Sequence, residues 1–289
     1  MQNKLGVLFN TDRLKHSEFI HYAQRLEALG YESLWLPELF TRDPYAAAGY
    51  LLASTTRLKL ATGIANIYGR DPLATVSASA TLQELSEGRF ILGLGVSNAT
   101  LNQARGHQWQ NPVTKLTDYL TAMSAVKLTC AQPDFPVHVA AHGPKMLACA
   151  ATLADGVNTY LMPAAHAKQA AGIIGPDKSL NTMLFCLDDP NPDTARHTAR
   201  KALAYYMGLD YYHRAWRTFG FAADDFADGG SDRLIDAVVA WGDIQQINQR
   251  IQDQYDAGAN RVVLIPIGAG QGGAPNWSLL ESIAANGTL

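Results

Sequence analysis

The sequence predicts an α/β fold, closed as a (β/α)8 TIM barrel with a helical insertion near the C-terminal third. Three observations predict it. An amphipathic stretch, a glycine and a short apolar run recur in that order four times: RLEALG-YESLWL, LQELSEG-RFILGLG, ATLADG-VNTYLM and YDAG-ANRVVLIPI. Glycine in the left-handed conformation ends a helix and releases the chain into a strand. Eight strand-like runs alternate with helical stretches, which argues for βαβ units and a parallel sheet. The chain has 289 residues, 47% of them hydrophobic, enough to build one barrel around a large core. An open doubly wound sheet is the alternative.

Taken in order, the strands are expected at 4–9 (KLGVLF), 33–37 (SLWLP), 58–65 (LKLATGIA), 89–95 (RFILGLG), 136–141 (PVHVAA), 157–162 (VNTYLM), 182–187 (TMLFCL) and 261–267 (RVVLIPI). Helices fit between them at 17–29, 43–54, 72–86, 112–128, 144–153, 164–171, 193–208 and 243–257, with a last one at 276–285. The stretch from about 208 to 242 is too long for a connection. It is expected to be an inserted helical segment within one domain spanning 1–289. The third strand carries an irregularity, because Thr62-Gly63 falls in its middle. Glycine there signals a bulge or a close backbone approach.

Composition excludes several classes. The formal net charge is −3 with no run of lysine or arginine, so neither nucleic acid nor an anionic membrane is an expected partner. The start, MQNKLGVLFNTDR, has too short an apolar run for a signal peptide, and no segment is long and apolar enough to span a bilayer. A cytoplasmic location is expected. Cys130, Cys149 and Cys186 are scattered without a C-x-x-C pair, which suits reduced thiols rather than structural zinc.

In such barrels the chemistry sits on loops at the strands' carboxyl ends. Those positions are Asn10-Thr11, Glu38, Ile64 to Asn66, Val96 to Asn98, Ala141 to Gly143, Met162-Pro163, Asp188-Asp189 and Gly268 to Gly270. Glu38 is the strand-end carboxylate of the first half, placed to act as acid, base or hydrogen-bond acceptor. No metal site is expected: four residues along a strand hold His138 and His142 roughly 13 Å apart, too far for ligand bonds of about 2 Å to one ion. No G-x-S-x-G occurs. GAGQGG (268–273) matches G-x-G-x-x-G, but too little chain follows for a dinucleotide fold; a phosphate cradle or a plain linker remain open. AAHGPKML (140–147) places Gly143 at a turn and Pro144 in the first turn of a helix, whose amides can meet a carbonyl or phosphate. Tyr45, Tyr68, Trp109, Tyr211, Tyr212 and Trp216 could form an aromatic pocket or ordinary core.

Seven segments, in this order, resemble the luciferase-like flavin monooxygenases, in particular their F420-dependent oxidoreductase branch. They are ALGYESLWLPE, TRLKLATGIANIYGRDP, SEGRFILGLGVS, VHVAAHGPKMLACAATLADGV, YYMGLDYYHRAWRTFGF, GGSDRLIDAVVAWGD and DAGANRVVLIPI. The resemblance implies a barrel, often dimeric, that holds F420 or FMN at its carboxyl mouth and acts on a small organic substrate. It implies a backbone bulge at Gly63-Ile64, often with a non-proline cis peptide, pressed against the central ring, with Thr62 and Asn66 flanking it. It implies an active-site acid at Glu38, ring contacts from Ser97, Asn98 and Asn102, and cofactor-lining positions at His142, Gly143 and Pro144. Thr159 or Tyr160 would meet the phosphate, because the threonine and lysine that relatives use after the sixth strand are not matched by TYLMPAAHA. Glu38 is followed by Leu39, where many F420 enzymes carry an Asp-His or similar pair. The implied activity is hydride transfer between F420 and an organic substrate. Its alternatives are oxygenation by reduced FMN and O2, or flavin binding without turnover. A phosphosugar isomerase or aldolase is set aside, since no Schiff-base lysine lies at a strand end.

Overall fold

Successive side chains of a strand point to opposite faces, and here each face finds its own apolar partner. The computed structural model describes residues 4–131, 133–268 and 274–286. Its strands are β1 (Leu5–Leu8), β2 (Ser33–Leu36), β3 (Lys59–Thr62), β4 (Ala65–Asn66), β5 (Phe90–Gly95), β6 (Val137–Ala140), β7 (Gly156–Tyr160), β8 (Ser179–Asp188), β9 (Val239–Gly242) and β10 (Arg261–Pro266). All pair in parallel, and β10 bonds both β1 and β8, closing the sheet into an eight-stranded barrel. Leu5, Val7, Leu34, Leu36, Leu60, Leu92 and Leu94 pack outward under the helices. Leu8, Trp35, Ala61, Ile91, Met183, Phe185, Val263 and Ile265 form a second cluster inside the barrel.

The helices are α1 (His16–Ala28), α2 (Pro44–Ser54), α3 (Pro72–Leu85), α4 (Ala99–Ala104), α5 (Pro112–Ser124), α6 (Pro144–Leu153), α7 (Ala164–Ile174), α8 (Pro192–Met207), α9 (Asp210–Arg217), α10 (Asp232–Val238), α11 (Ile244–Asp256) and α12 (Trp277–Ala285). Asp43, Asp71, Asn111 and Asn191 each cap a helix whose first residue is proline, a combination that satisfies free amides and pre-sets the first turn. All eight expected strands form. The insertion is helical only through α10; its end, expected to be part of the helical segment, is β9, which pairs with Phe185–Asp188 of β8. β7 stops pairing at Met183, so that edge of β8 was left to be covered. Helix α4 was not anticipated; it has only six residues, capped by the Asn98 side chain. Beyond Gly268, the glycine-rich run lies outside the described residues.

The third strand is broken at the predicted place. Ala61 pairs with Ile91 and Ala65 with Leu94, so four steps of one strand span three of the other. That extra residue is a bulge. The Gly63–Ile64 peptide within it is cis. Thr62 Oγ1 donates to the carbonyl of Gly93 at 2.6 Å and accepts its amide at 2.8 Å. Two glycines of β5 accommodate the bulge. A Cβ on Gly93 would sit inside the Thr62 carbonyl oxygen, and one on Gly95 would lie 2.9 Å from Ile64 Cγ1.

Below the bulge the barrel is plugged by a polar chain. The Arg261 guanidinium grips the Glu32 carboxylate and donates to Asn181 Oδ1 at 2.6 Å. Arginine can only donate, so Asn181 must turn its NH2 the other way. That group meets His138 Nδ1 at 2.9 Å and Asn158 Oδ1 at 2.9 Å. Burial alone would raise the Glu32 carboxyl, but Arg261 and Lys59 outweigh it and hold the group down at about 2. Burial, with the Arg261 charge, pushes the His138 imidazole down to about 3.

Gly93→Ala is expected to destabilise the protein by about 3 kcal/mol, the upper range for overpacking a tight interior. Its thermal unfolding midpoint should fall well below that of Ala61→Gly, which adds no atom at the same barrel level.

Candidate functional site

Loops at the carboxyl ends of the strands, roofed by α8 and by α9 of the insertion that follows it, enclose a cavity of about 1430 Å3. That exceeds the few hundred to 1,000 Å3 usual for small ligands and leaves room for a large cofactor with a substrate. The bulge supplies its floor, where Gly63 and the half-buried Ile64 side chain are exposed to the cavity.

Glu38 follows β2 and lines the cavity with its side chain only 13% exposed. Its amide donates to the Ile64 carbonyl at 3.2 Å, and its Oε2 accepts the Asn66 amide at 2.8 Å. Its Oε1 pairs with Arg105 at 3.0 Å. Main chain and side chain of Glu38 therefore clamp both ends of the bulge, while the carboxylate stays charge-compensated.

Nine of the thirteen expected residues lie on the cavity wall: Glu38, Gly63, Ile64, Ser97, Asn98, His142, Gly143, Pro144 and Tyr160. Four stand behind it. Thr62 is consumed by Gly93. Asn66 and Asn102 are bonded to each other at 2.8 Å, and Asn102 spends its NH2 on the carbonyls of Val96 and Asn98. Thr159 is buried outside the lining set. The side chains of Thr62, Asn66 and Asn102 are spent on holding the strand and loops around the bulge. Of the six expected pocket aromatics, Trp109, Tyr211 and Tyr212 line the cavity, whereas Tyr45, Tyr68 and Trp216 pack elsewhere.

Ser97 sits on the wall at φ 57°, a left-handed conformation that a residue with a side chain holds only when its surroundings enforce it. Asn98 uses Oδ1 to cap α4 and donates from Nδ2 to the Tyr205 hydroxyl at 3.0 Å. Leu161 is also left-handed, at φ 56°. Its carbonyl accepts the Trp216 indole N–H at 2.8 Å, which ties the insertion to the exit of β7.

His142 has its protonation fixed by a neighbour. The Tyr160 amide donates to its Nε2 at 3.1 Å, so the neutral ring carries its hydrogen on Nδ1. Burial, with nearby His166, pushes this imidazole down to about 3. The His166 ring donates to the His142 carbonyl at 2.8 Å, holding the turn before α6. Gly143 caps that helix without a side-chain bond, and Pro144 has no N–H, so the Lys145 and Met146 amides are left without a side-chain cap.

Sequence reasoning missed three functional groups. Arg105, the partner of Glu38, lies just past the unanticipated α4. Tyr206, in the last turn of α8, meets the Tyr160 hydroxyl at 2.7 Å; the cluster of tyrosines around 205–212 was the available signal. Asn158 is 1% exposed and on the wall, and its Nδ2 has no partner among the described residues. The polarity imposed by Arg261 through Asn181 fixes that orphan as a donor.

These features fit a neutral, planar, acceptor-rich cofactor ring: an apolar floor at Ile64, the Asn158 donor with no partner, the His142 Nδ1–H and the bare amides after Gly143. The three free cysteines are Cys130, Cys149 and Cys186. Among the described residues, no helix is long and apolar enough to cross a membrane.

Comparison with known proteins points the same way. The family model for luciferase-like monooxygenase matches residues 5–261. The 5,10-methylenetetrahydromethanopterin reductase of Methanolobus tindarius is 28% identical, the alignment covering 86% of this chain and 90% of the reductase. The coenzyme F420 dependent tetrahydromethanopterin reductase of Methanopyrus kandleri superposes with a TM-score of 0.75 at 20% identity, over 98% of both chains. The oxygenating component of 3,6-diketocamphane monooxygenase from Pseudomonas putida, in complex with FMN, gives 0.69 at 16% identity, over 98% of this chain and 96% of that one.

His142 and His138 are neutral in the fold but take up a proton near pH 6.5 when unfolded. The unfolded state then binds more protons. Stability is expected to fall as pH drops from about 6.5 towards 3, by several kcal/mol in all. His142→Gln, whose side-chain oxygen can still accept the Tyr160 amide, should flatten that slope in denaturant titrations between pH 7 and 4.

Proposed function

The chain belongs to the luciferase-like monooxygenase family, and on that premise we propose that it is an F420-dependent oxidoreductase acting on a small organic substrate. The observation that carries the reading is the bulge at Gly63–Ile64, which lays an apolar side chain and bare backbone across the floor of a cavity large enough for a three-ring cofactor and a second ligand. Bound F420 would supply or accept a hydride at its ring.

The residues divide the work. Ile64 gives one face of the ring an apolar support. Asn158 donates to an acceptor atom of the ring, and Ser97 and Asn98 stand at the neighbouring wall. His142 offers a neutral N–H, and the uncovered amides after Gly143 suit a phosphate or carbonyl. Glu38 keeps the bulge in place through the Asn66 amide, and its carboxylate, balanced by Arg105, orients polar groups of the substrate. The insertion closes the mouth and limits water access.

The FMN-bound relative favours a second reading, in which reduced FMN and O2 oxygenate the substrate at the same site. Three unpaired cysteines suit a reducing, cytoplasmic setting. Helices α2 and α3 carry the exposed Tyr50, Leu73 and Leu85, an apolar surface suited to a homodimer.

Titration with oxidised F420 and, separately, FMN, followed by cofactor fluorescence, tests the reading. Saturable F420 binding tighter than FMN binding is the expected result; FMN alone would favour the monooxygenase, and neither would refute both. Ile64→Ala should weaken F420 binding about tenfold, the scale of losing a few buried methylenes, with an unchanged melting midpoint.

A further inference from the structure

We propose that the substrate of this site is a neutral, hydrophobic carbonyl compound whose oxygen is held by the Tyr160–Tyr206 hydroxyl pair. The inference rests on the oxidoreductase reading above and narrows it to a substrate class.

Charge is the first argument. The charged residues on the wall are Arg13, Glu38, Asp210 and Arg214. Arg13, Asp210 and Arg214 are exposed, so they belong to the rim. Glu38 is the one set inside, and it is already neutralised by Arg105 and the Asn66 amide. Among the described residues, then, the inner cavity has no unpaired charge with which to receive a charged substrate, and burying a lone charge there is costly.

The entrance is the second. Phe40 is 82% exposed and Leu39 and Tyr205 are also exposed, and all three line the mouth. Exposed apolar groups gathered at a cavity entrance mark a ligand groove. Tyr206 of α8 and Tyr211 and Tyr212 of α9 continue that surface inward.

The third is a hydroxyl pair at the exit of β7, facing these aromatic rings. Tyr160 and Tyr206 each have one O–H, and their 2.7 Å bond uses only one of the two hydrogens. The other hydrogen remains for an outside acceptor. Burial raises both phenols above their ordinary range, so both stay protonated at neutral pH. A carbonyl oxygen, which only accepts, is the complement of that pair.

The test uses the full chain, alone and saturated with oxidised F420, titrated with three probes while its tryptophan fluorescence is recorded. The probes are 4-phenylcyclohexanone, the analogue in which CH2 replaces its oxygen, and 4-oxocyclohexanecarboxylate. In at least one form the ketone should bind about tenfold tighter than the methylene analogue, the upper range for one neutral hydrogen bond, and the carboxylate weakest. Either single variant, Tyr160→Phe or Tyr206→Phe, should keep that preference, because the remaining hydroxyl is released to donate. The double variant should bind ketone and methylene analogue equally while holding the latter as tightly as the native chain does. Equal binding by the native protein, a preference that survives the double variant, tighter binding of the carboxylate, or no ketone binding in either form would each overturn the proposal. F420 binding is read in its own titration, so loss of cofactor binding with the ketone preference intact would remove the cofactor reading alone.

Discussion

The site depends on one close approach, that of the Thr62 main chain to Gly93. Parallel strands normally keep side chains between neighbouring backbones on the inner face of a barrel. Here β5 presents glycine, and the Thr62 carbonyl occupies the space a Cβ would need. The Thr62 hydroxyl closes the arrangement by bonding both the amide and the carbonyl of Gly93. With that contact made, β3 can bulge without losing its partner, and pairing resumes at Ala65–Leu94. Ile64 is then carried to the floor of the cavity, packed against the bare Cα of Gly95.

Glu38 completes this device from the other neighbour. Its amide and carboxylate bond the two sides of the bulge, so the acid at the end of β2 is bound up with the geometry of β3. Deeper in the barrel, polarity is transmitted by elimination: Arg261 only donates, Asn181 must therefore accept from it, and Asn158, a residue of the cavity wall, is left with a buried donor that has no partner among the described residues. His142 is fixed in the same manner by the Tyr160 amide. Donor positions are thus set before any ligand arrives, which is how a site gains specificity without a cost of rearrangement.

Much of this was legible in the sequence. Strand positions followed from apolar runs punctuated by glycine, and the bulge from Thr62-Gly63 inside one of those runs. Glycine there could only mean weakness or close approach. What was not legible depends on partners far apart in the chain. Asn66, at a strand end, and Asn102, in α4, are ligand contacts by the family resemblance, yet they satisfy each other across 36 positions. Asn158 sits mid-strand, where an asparagine carries no signal until Asn181 and Arg261 are placed beside it. The strand β9 was hidden because its need arises from the unpaired end of β8, a tertiary demand that overrides the local pattern.

The central claim is that the Gly63–Ile64 bulge is the seat of a planar cofactor ring, and a crystal structure of the protein with F420 tests it most directly. The account requires the ring to lie over Gly63–Ile64, with Ile64 side-chain carbons within about 4 Å of its central ring, the range of direct contact. Its edge should also meet Asn158 Nδ2. A ring bound elsewhere in the cavity, with Ile64 facing solvent, would contradict it.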